Sequence, residues 1–169
     1  PQLAKIARWA RGCGPYVELS PAVLRRPSRR TAAGIGSSGE SLAGFMRYLA
    51  DNRPESYASL ISTLKKHYRH LDRIVIRSPR AGWNRLELVE RWGKERVAIS
   101  SEQVSDGFLR LCAVAAMTYA EPAPTIVMMD EVENGVHPRL LGSLMSLLAD
   151  ISDRGTQVLV TTQAARLRR

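Results

Sequence analysis

The chain has 169 residues and a mass of 18.8 kDa, enough for one core and too few for two independent ones. Its 44% hydrophobic and 24% charged residues are ordinary globular values, which excludes wholesale disorder and fibrous repeats. The formal net charge of +9 is uneven: residues 1–30 hold seven Lys/Arg against one acid and residues 61–100 ten against four, while residues 101–150 hold two against seven. The basic stretches suit a polyanion such as nucleic acid or are simply a solvated arginine face, and the acidic segment needs its own explanation.

In chain order, residues 1–14 have helical character up to a Gly-Cys-Gly-Pro break, and residues 16–30 read as extended and then irregular. Leu42, Phe45, Met46 and Leu49 at helical spacing predict one amphipathic helix. After Pro54, the residues Tyr57, Leu60, Ile61, Leu64 and Tyr68 predict another. Residues 72–78 are a strand candidate. Gly82 and Gly93 then punctuate two further strands, 85–92 and 94–100, a small antiparallel meander.

From residue 100 the pattern becomes α/β. Residues 101–120 predict a helix, 125–130 a buried strand, 137–152 a helix and 156–162 a second buried strand, so a mostly parallel sheet with flanking helices is expected. The first of these strands ends on Asp130 and Glu131. Ligands gather at the carboxyl ends of strands in open α/β sheets. A strand-end Asp can hold Mg²⁺ while the adjacent Glu acts on the water that attacks a γ-phosphate; for an isolated apolar run ending in Asp-Glu, a turn cap and a solvated carboxylate is the bland alternative.

The motifs around this pair resemble the nucleotide-binding domain shared by ABC transporters and SMC and RecF-type proteins, most closely the AAA-labelled ATPases of the OLD/RecF-like group. Val104-Ser105-Asp106-Gly107-Phe108 is similar to the ABC signature in its SDG form, with Arg110 continuing it. Thr125 to Glu131 resembles Walker B, Glu133-Asn134-Gly135-Val136-His137-Pro138 the D-loop segment, and Gln157 to Gln163 the switch strand. Residues 1–99 resemble the group's middle region less strongly, and 100–169 the signature-to-switch half of the ATPase core. The resemblance implies ATP and Mg²⁺ as cofactors, Asp130 on the metal, and Glu131 and Gln163 as catalytic residues. Ser105, Asp106, Gly107, Asn134, Gly135 and His137 are implied at the nucleotide and the dimer interface. A head-to-tail homodimer, with Ser105 and Gly107 against the opposite protomer's γ-phosphate, is implied too, as is coupling to DNA repair or anti-phage defence with an effector or nuclease partner. The helix start at Ser105–Gly107 suits an anion, and Gly107 allows close backbone approach; a capping box of Ser100 and Gln103 is the ordinary alternative.

Two departures qualify the resemblance. Gln163 stands where the group has His and cannot carry a proton charge. No G-x-x-x-x-G-K-[ST] occurs in the sequence. Gly34-Ile35-Gly36-Ser37-Ser38-Gly39-Glu40-Ser41 comes nearest, but Glu40 puts a carboxylate where phosphates need an ammonium. A Gly/Ser turn leading into the next helix is the expectation there, with the Walker A segment lying upstream in the same protein. An inactive regulatory or dimerisation module and a basic nucleic-acid-binding module are the competing functions.

Smaller features complete the reading. No run approaches the roughly 18 apolar residues that cross a bilayer, and no leader pattern opens the sequence, so a cytoplasmic chain with no membrane partner is expected. Cys13 and Cys112 share no metal-ligand spacing. His67 and His70 at i,i+3 are expected on a solvated basic face rather than on a metal. Trp9, Trp83 and Trp92 lie among basic residues and are expected in the core rather than stacked on bases.

Overall fold

The computed structural model describes residues 13–16 and 18–163; the helical opening and Trp9 lie outside the described residues. Among the described residues, seven strands, β1 (Cys13–Tyr16), β2 (Ser28–Arg29), β3 (Leu71–Arg80), β4 (Trp83–Trp92), β5 (Glu95–Ser100), β6 (Ile126–Met129) and β7 (Gln157–Val160), accompany five helices. These are α1 (Pro21–Leu24), α2 (Leu42–Asn52), α3 (Pro54–His67), α4 (Asp106–Met117) and α5 (Pro138–Asp153).

The expectation of a mostly parallel sheet is corrected. The parallel sheet has three short strands in the order β1-β6-β7, while the larger sheet is antiparallel and four-stranded. β4 is its hub, pairing β3 along one edge and β2 then β5 along the other. Antiparallel neighbours need only tight turns. Gly82 (φ +77°) and Gly93 (φ +62°) supply the positive dihedrals those turns require.

The two sheets are joined by α4. Its residues Phe108, Leu109 and Leu111 through Met117 are all buried, the all-round apolarity of a central helix, and it packs against α1, α2, α3 and α5. The thiol of Cys112, fully buried, is pushed above its ordinary range by desolvation. α4 begins five residues later than the pattern predicts. Residues 101–104 turn instead, and Ser105, in extended backbone, caps the helix by accepting the Phe108 N–H at 3.4 Å. The cap is therefore Ser105, not the box of Ser100 and Gln103.

Four further expectations change. β1 falls on the stretch read as a break, pairing Cys13 with Ile126 and Tyr16 with Met128. β7 is not a buried strand: it is the sheet edge, with Gln157 exposed and Leu159 47% exposed. The two tryptophans expected in the core lie outside it, Trp83 being 40% and Trp92 52% exposed. His70 does not share a helical face with His67, where α3 ends; it stacks on Trp92 with ring centroids 3.7 Å apart.

Candidate functional site

β6 carries its apolar residues into the core and delivers Asp130 to the surface at its carboxyl end. β7 runs parallel beside it, so Thr161 arrives next to the acidic pair. The Thr161 hydroxyl donates to Asp130 Oδ1, while its oxygen accepts the Glu131 N–H at 2.9 Å. Backbone bonds Thr161 N–H to Met129 O (3.0 Å) and Val132 N–H to Thr161 O (3.2 Å) lock the two strand ends together.

Glu131 has φ +42°, the one positive value outside glycine among the described residues. A non-glycine residue there is strained by about 1–2 kcal/mol. Bonds on both sides hold it: its N–H to Thr161, and its C=O accepting the Asn134 N–H at 2.8 Å. The turn brings the Glu131 carboxylate to Gln163, whose side-chain amide donates to Oε1. The Gln163 N–H donates to Glu133 Oε1 at 2.6 Å. Asp130, Glu131, Glu133 and Gln163 are thus gathered from two strand ends.

Beside them opens a cleft of about 220 Å³, lined by Glu18, Ser20, Arg110, Asp130, Glu131 and Asn134 among others. It is smaller than the roughly 300–1,000 Å³ typical of a small-molecule pocket, the size of a phosphate group with its surroundings rather than of a whole nucleotide. Arg110 comes from α4, and its buried Nε has no hydrogen-bond partner among the described residues. Desolvation lowers the Arg110 pKa, against the opposing pull of Asp106 and Glu18. An orphaned guanidinium N–H fits a phosphate oxygen. The cleft nevertheless holds three carboxylates, Glu18, Asp130 and Glu131, against this single cation, so an anionic ligand needs further positive charge.

The acidic pair fits Mg²⁺ in the manner usual for nucleotide sites. No group of three or more His, Cys, Asp or Glu forms a metal cage among the described residues. Mg²⁺ is commonly held by one or two carboxylates, with waters and substrate phosphates completing the octahedron. Asp130 is exposed at the strand end, and with Thr161 bonded to Oδ1 its Oδ2 is the oxygen such an ion would take.

The remaining predicted residues stand apart from the cleft. Ser105 is exposed at the start of α4. Asp106 is engaged by Arg25, the C-cap of α1, whose guanidinium also donates to Val104 O at 2.8 Å. Gly107 is buried where α4 lies against the 135–136 turn, and a Cβ there would sit at ordinary contact distance, 3.5 Å from Val136 Cα and 3.4 Å from Leu140 Cδ1. Gly135 makes that turn at φ +71°. His137 is exposed and caps α5, its Nδ1 accepting the Arg139 N–H at 3.2 Å. Thr161, the residue that ties the acidic pair together, went unnoticed in the sequence because nothing there marks which strand lies beside β6. Arg110 carries no signal beyond its place in the motif.

The Gly34–Ser41 loop does not form a phosphate cradle. The Glu40 carboxylate folds back over Gly36 and accepts the Ser38 N–H at 2.9 Å, filling the concavity an anion would need. The loop is stitched to the segment before α1 by Glu18 N–H to Ser37 O at 3.0 Å.

A family model described as AAA domain, putative AbiEii toxin, Type IV TA system matches residues 18–165. No curated protein and no solved structure matches the chain. That match covers all but the first 17 and last four residues, and the chain belongs to this AAA-domain family of P-loop ATPases.

Proposed function

We propose that the chain forms the signature, Walker B, D-loop and switch half of an ATP-hydrolysing site of the ABC/SMC/RecF type, closest to the OLD/RecF-like group. The observation that carries it is the convergence of Asp130, Glu131 and Gln163 beside the unbonded Nε of Arg110. Asp130 holds Mg²⁺, which supplies charge neutralisation at the phosphates when bound. Glu131 accepts a proton from the attacking water, Gln163 holds the Glu131 carboxylate in place, and Arg110 reaches a phosphate oxygen. In this reading Ser105 and Gly107 act across a head-to-tail dimer on the partner's nucleotide, with Asp106, Asn134, Gly135 and His137 at that interface.

The excess of carboxylates in the cleft argues that a Walker A lysine comes from elsewhere. A segment of the same protein preceding residue 1 is the proposed source. Residues 100–169 then supply the catalytic half and 1–99 the middle region, with the work coupled to DNA repair or anti-phage defence. The Glu40 carboxylate over Gly36 favours the second reading, a regulatory or dimerisation module without turnover, if no such segment exists.

ATP turnover by the protein that carries this chain, compared with its Glu131→Gln variant, tests the proposal. The expected result is a fall of about 100-fold or more with ATP binding retained. Unchanged turnover in the variant overturns the assignment.

A further inference from the structure

The antiparallel sheet has a second face that none of the ATP chemistry uses. Alternation along β4 places Trp83, Arg85, Glu87 and Arg91, together with the buried Val89, on the side opposite Leu86 and Leu88. The register adds Arg29 opposite Trp83, Arg77 opposite Arg85, and Arg96 opposite Arg91. The side chains of Arg73, Arg77, Arg91 and Arg96 are each more than half exposed.

This face is arranged against its own stability. Like charges directly opposite in a sheet repel, yet Arg77 and Arg85 are cross-strand partners, and so are Arg91 and Arg96. Asp72 bridges Arg73, Arg91 and Arg96, Glu87 meets Arg77 at 2.9 Å, and Glu102 meets Arg85 at 3.0 Å. Three carboxylates hold five arginines, while Arg29 and Arg80, both opposite Trp83, add two further guanidinium groups. A cationic excess remains along a strand of ten residues, about 33 Å at roughly 3.3 Å each.

At one end of the stripe lies a cleft of about 450 Å³ lined by Pro27, Pro79, Arg80, Trp83 and Arg85. Its lining thus combines two prolines and an indole with two arginines. The Arg29 guanidinium lies 5.5 Å from the Trp83 ring centroid, holding the indole in place. An indole with apolar neighbours and cations beside it suits a flat base carrying a phosphate.

We propose that this face binds single-stranded nucleic acid, with one base against Trp83 and the phosphate backbone following Arg85, Arg77 and the arginines around Asp72. A duplex keeps its bases stacked and cannot offer one to the cleft. An acidic polypeptide supplies charge but no flat ring. The site is separate from the acidic pair, so this binding needs no nucleotide and stands or falls apart from the ATPase reading.

Fluorescence anisotropy of labelled oligo(dT) of about 16 nucleotides with nucleotide-free protein tests this. Affinity should fall as salt rises. Trp83→Ala should weaken binding about tenfold, the loss of one base stack, and Trp83→Phe should restore most of it. Arg77→Ser should weaken binding and lower the salt slope by about one. Circular dichroism melting of each variant separates these effects from loss of fold. Absence of binding at low salt overturns the proposal, as does indifference to Trp83→Ala, equal affinity for duplex, or equal competition by poly-glutamate.

Discussion

The side-chain amide of Gln163 donates to the carboxylate of Glu131, joining the end of β7 to the end of β6. Where the resembling group has a histidine, this chain has a neutral amide, and an amide keeps the same charge at every physiological pH. If Gln163 positions Glu131, then Gln163→Ala should lower kcat by about tenfold with little change in KM, since it removes orientation rather than nucleotide contact. Gln163→His should restore turnover and add a rise or fall centred near pH 6.5 that the natural protein lacks. Steady-state turnover from pH 5.5 to 8.5 checks both.

Glu131 sits at φ +42°, and this strain separates stability from activity. Replacing a left-handed non-glycine residue by glycine relieves backbone strain of about 1 kcal/mol, while removing the carboxylate removes the proposed proton acceptor. Glu131→Gly is therefore expected to raise or preserve the melting temperature while abolishing turnover. A large loss of stability would mean that the carboxylate's bond from Gln163 matters more to the fold than the strain does.

How legible these features were depends on the range of the interactions. The strand end at Asp130 and Glu131 could be read because an apolar run meeting two acids is a local pattern. Thr161 and Arg25 could not, because each acts on residues roughly thirty or eighty positions away. β1 was hidden by Gly-Cys-Gly-Pro, whose turn-forming residues outweigh strand propensity until β6 offers it an edge. The parallel character was overestimated because apolar runs between helices look alike whether a sheet has three strands or six. The outward position of Trp83 was not legible because β4 begins at Trp83, two residues before the strand read from the sequence, and only that longer strand puts it in step with Arg85 and Glu87.

Two glycines make opposite predictions. A Cβ on Gly44 would run into the Arg29 backbone carbonyl, because α2 lies directly on β2 and the Gly44 N–H donates to Ser28 Oγ at 2.8 Å. Gly44→Ala should destabilise by about 3 kcal/mol, the range of forced overpacking. At Gly107 the nearest atoms would be at ordinary contact distance, and alanine gains helix propensity there of about 1 kcal/mol or less. Gly107→Ala should leave denaturant midpoints unchanged or raised. A fall in turnover without a fall in stability would then point to a contact made across the dimer.

Asp72 gathers Arg73, Arg91 and Arg96 around one carboxylate, and the hydrogen bond from Arg91 is the chief reason its pKa is lowered from 3.8. A carboxyl group with a depressed folded-state pKa contributes stability that is fully present above the unfolded value and is lost as pH falls through the folded one. The melting temperature of the natural protein should therefore exceed that of Asp72→Asn at neutral pH, and the gap should close as pH falls below 3.8. Removing this carboxylate also leaves three arginines uncompensated on the outward face of the sheet. The same variant should bind oligo(dT) several-fold more tightly at low salt, with the advantage shrinking as salt screens it. Lower stability together with tighter binding is the combination expected if the arginines are arranged for a polyanion, whereas a merely structural cluster would lose stability and gain nothing.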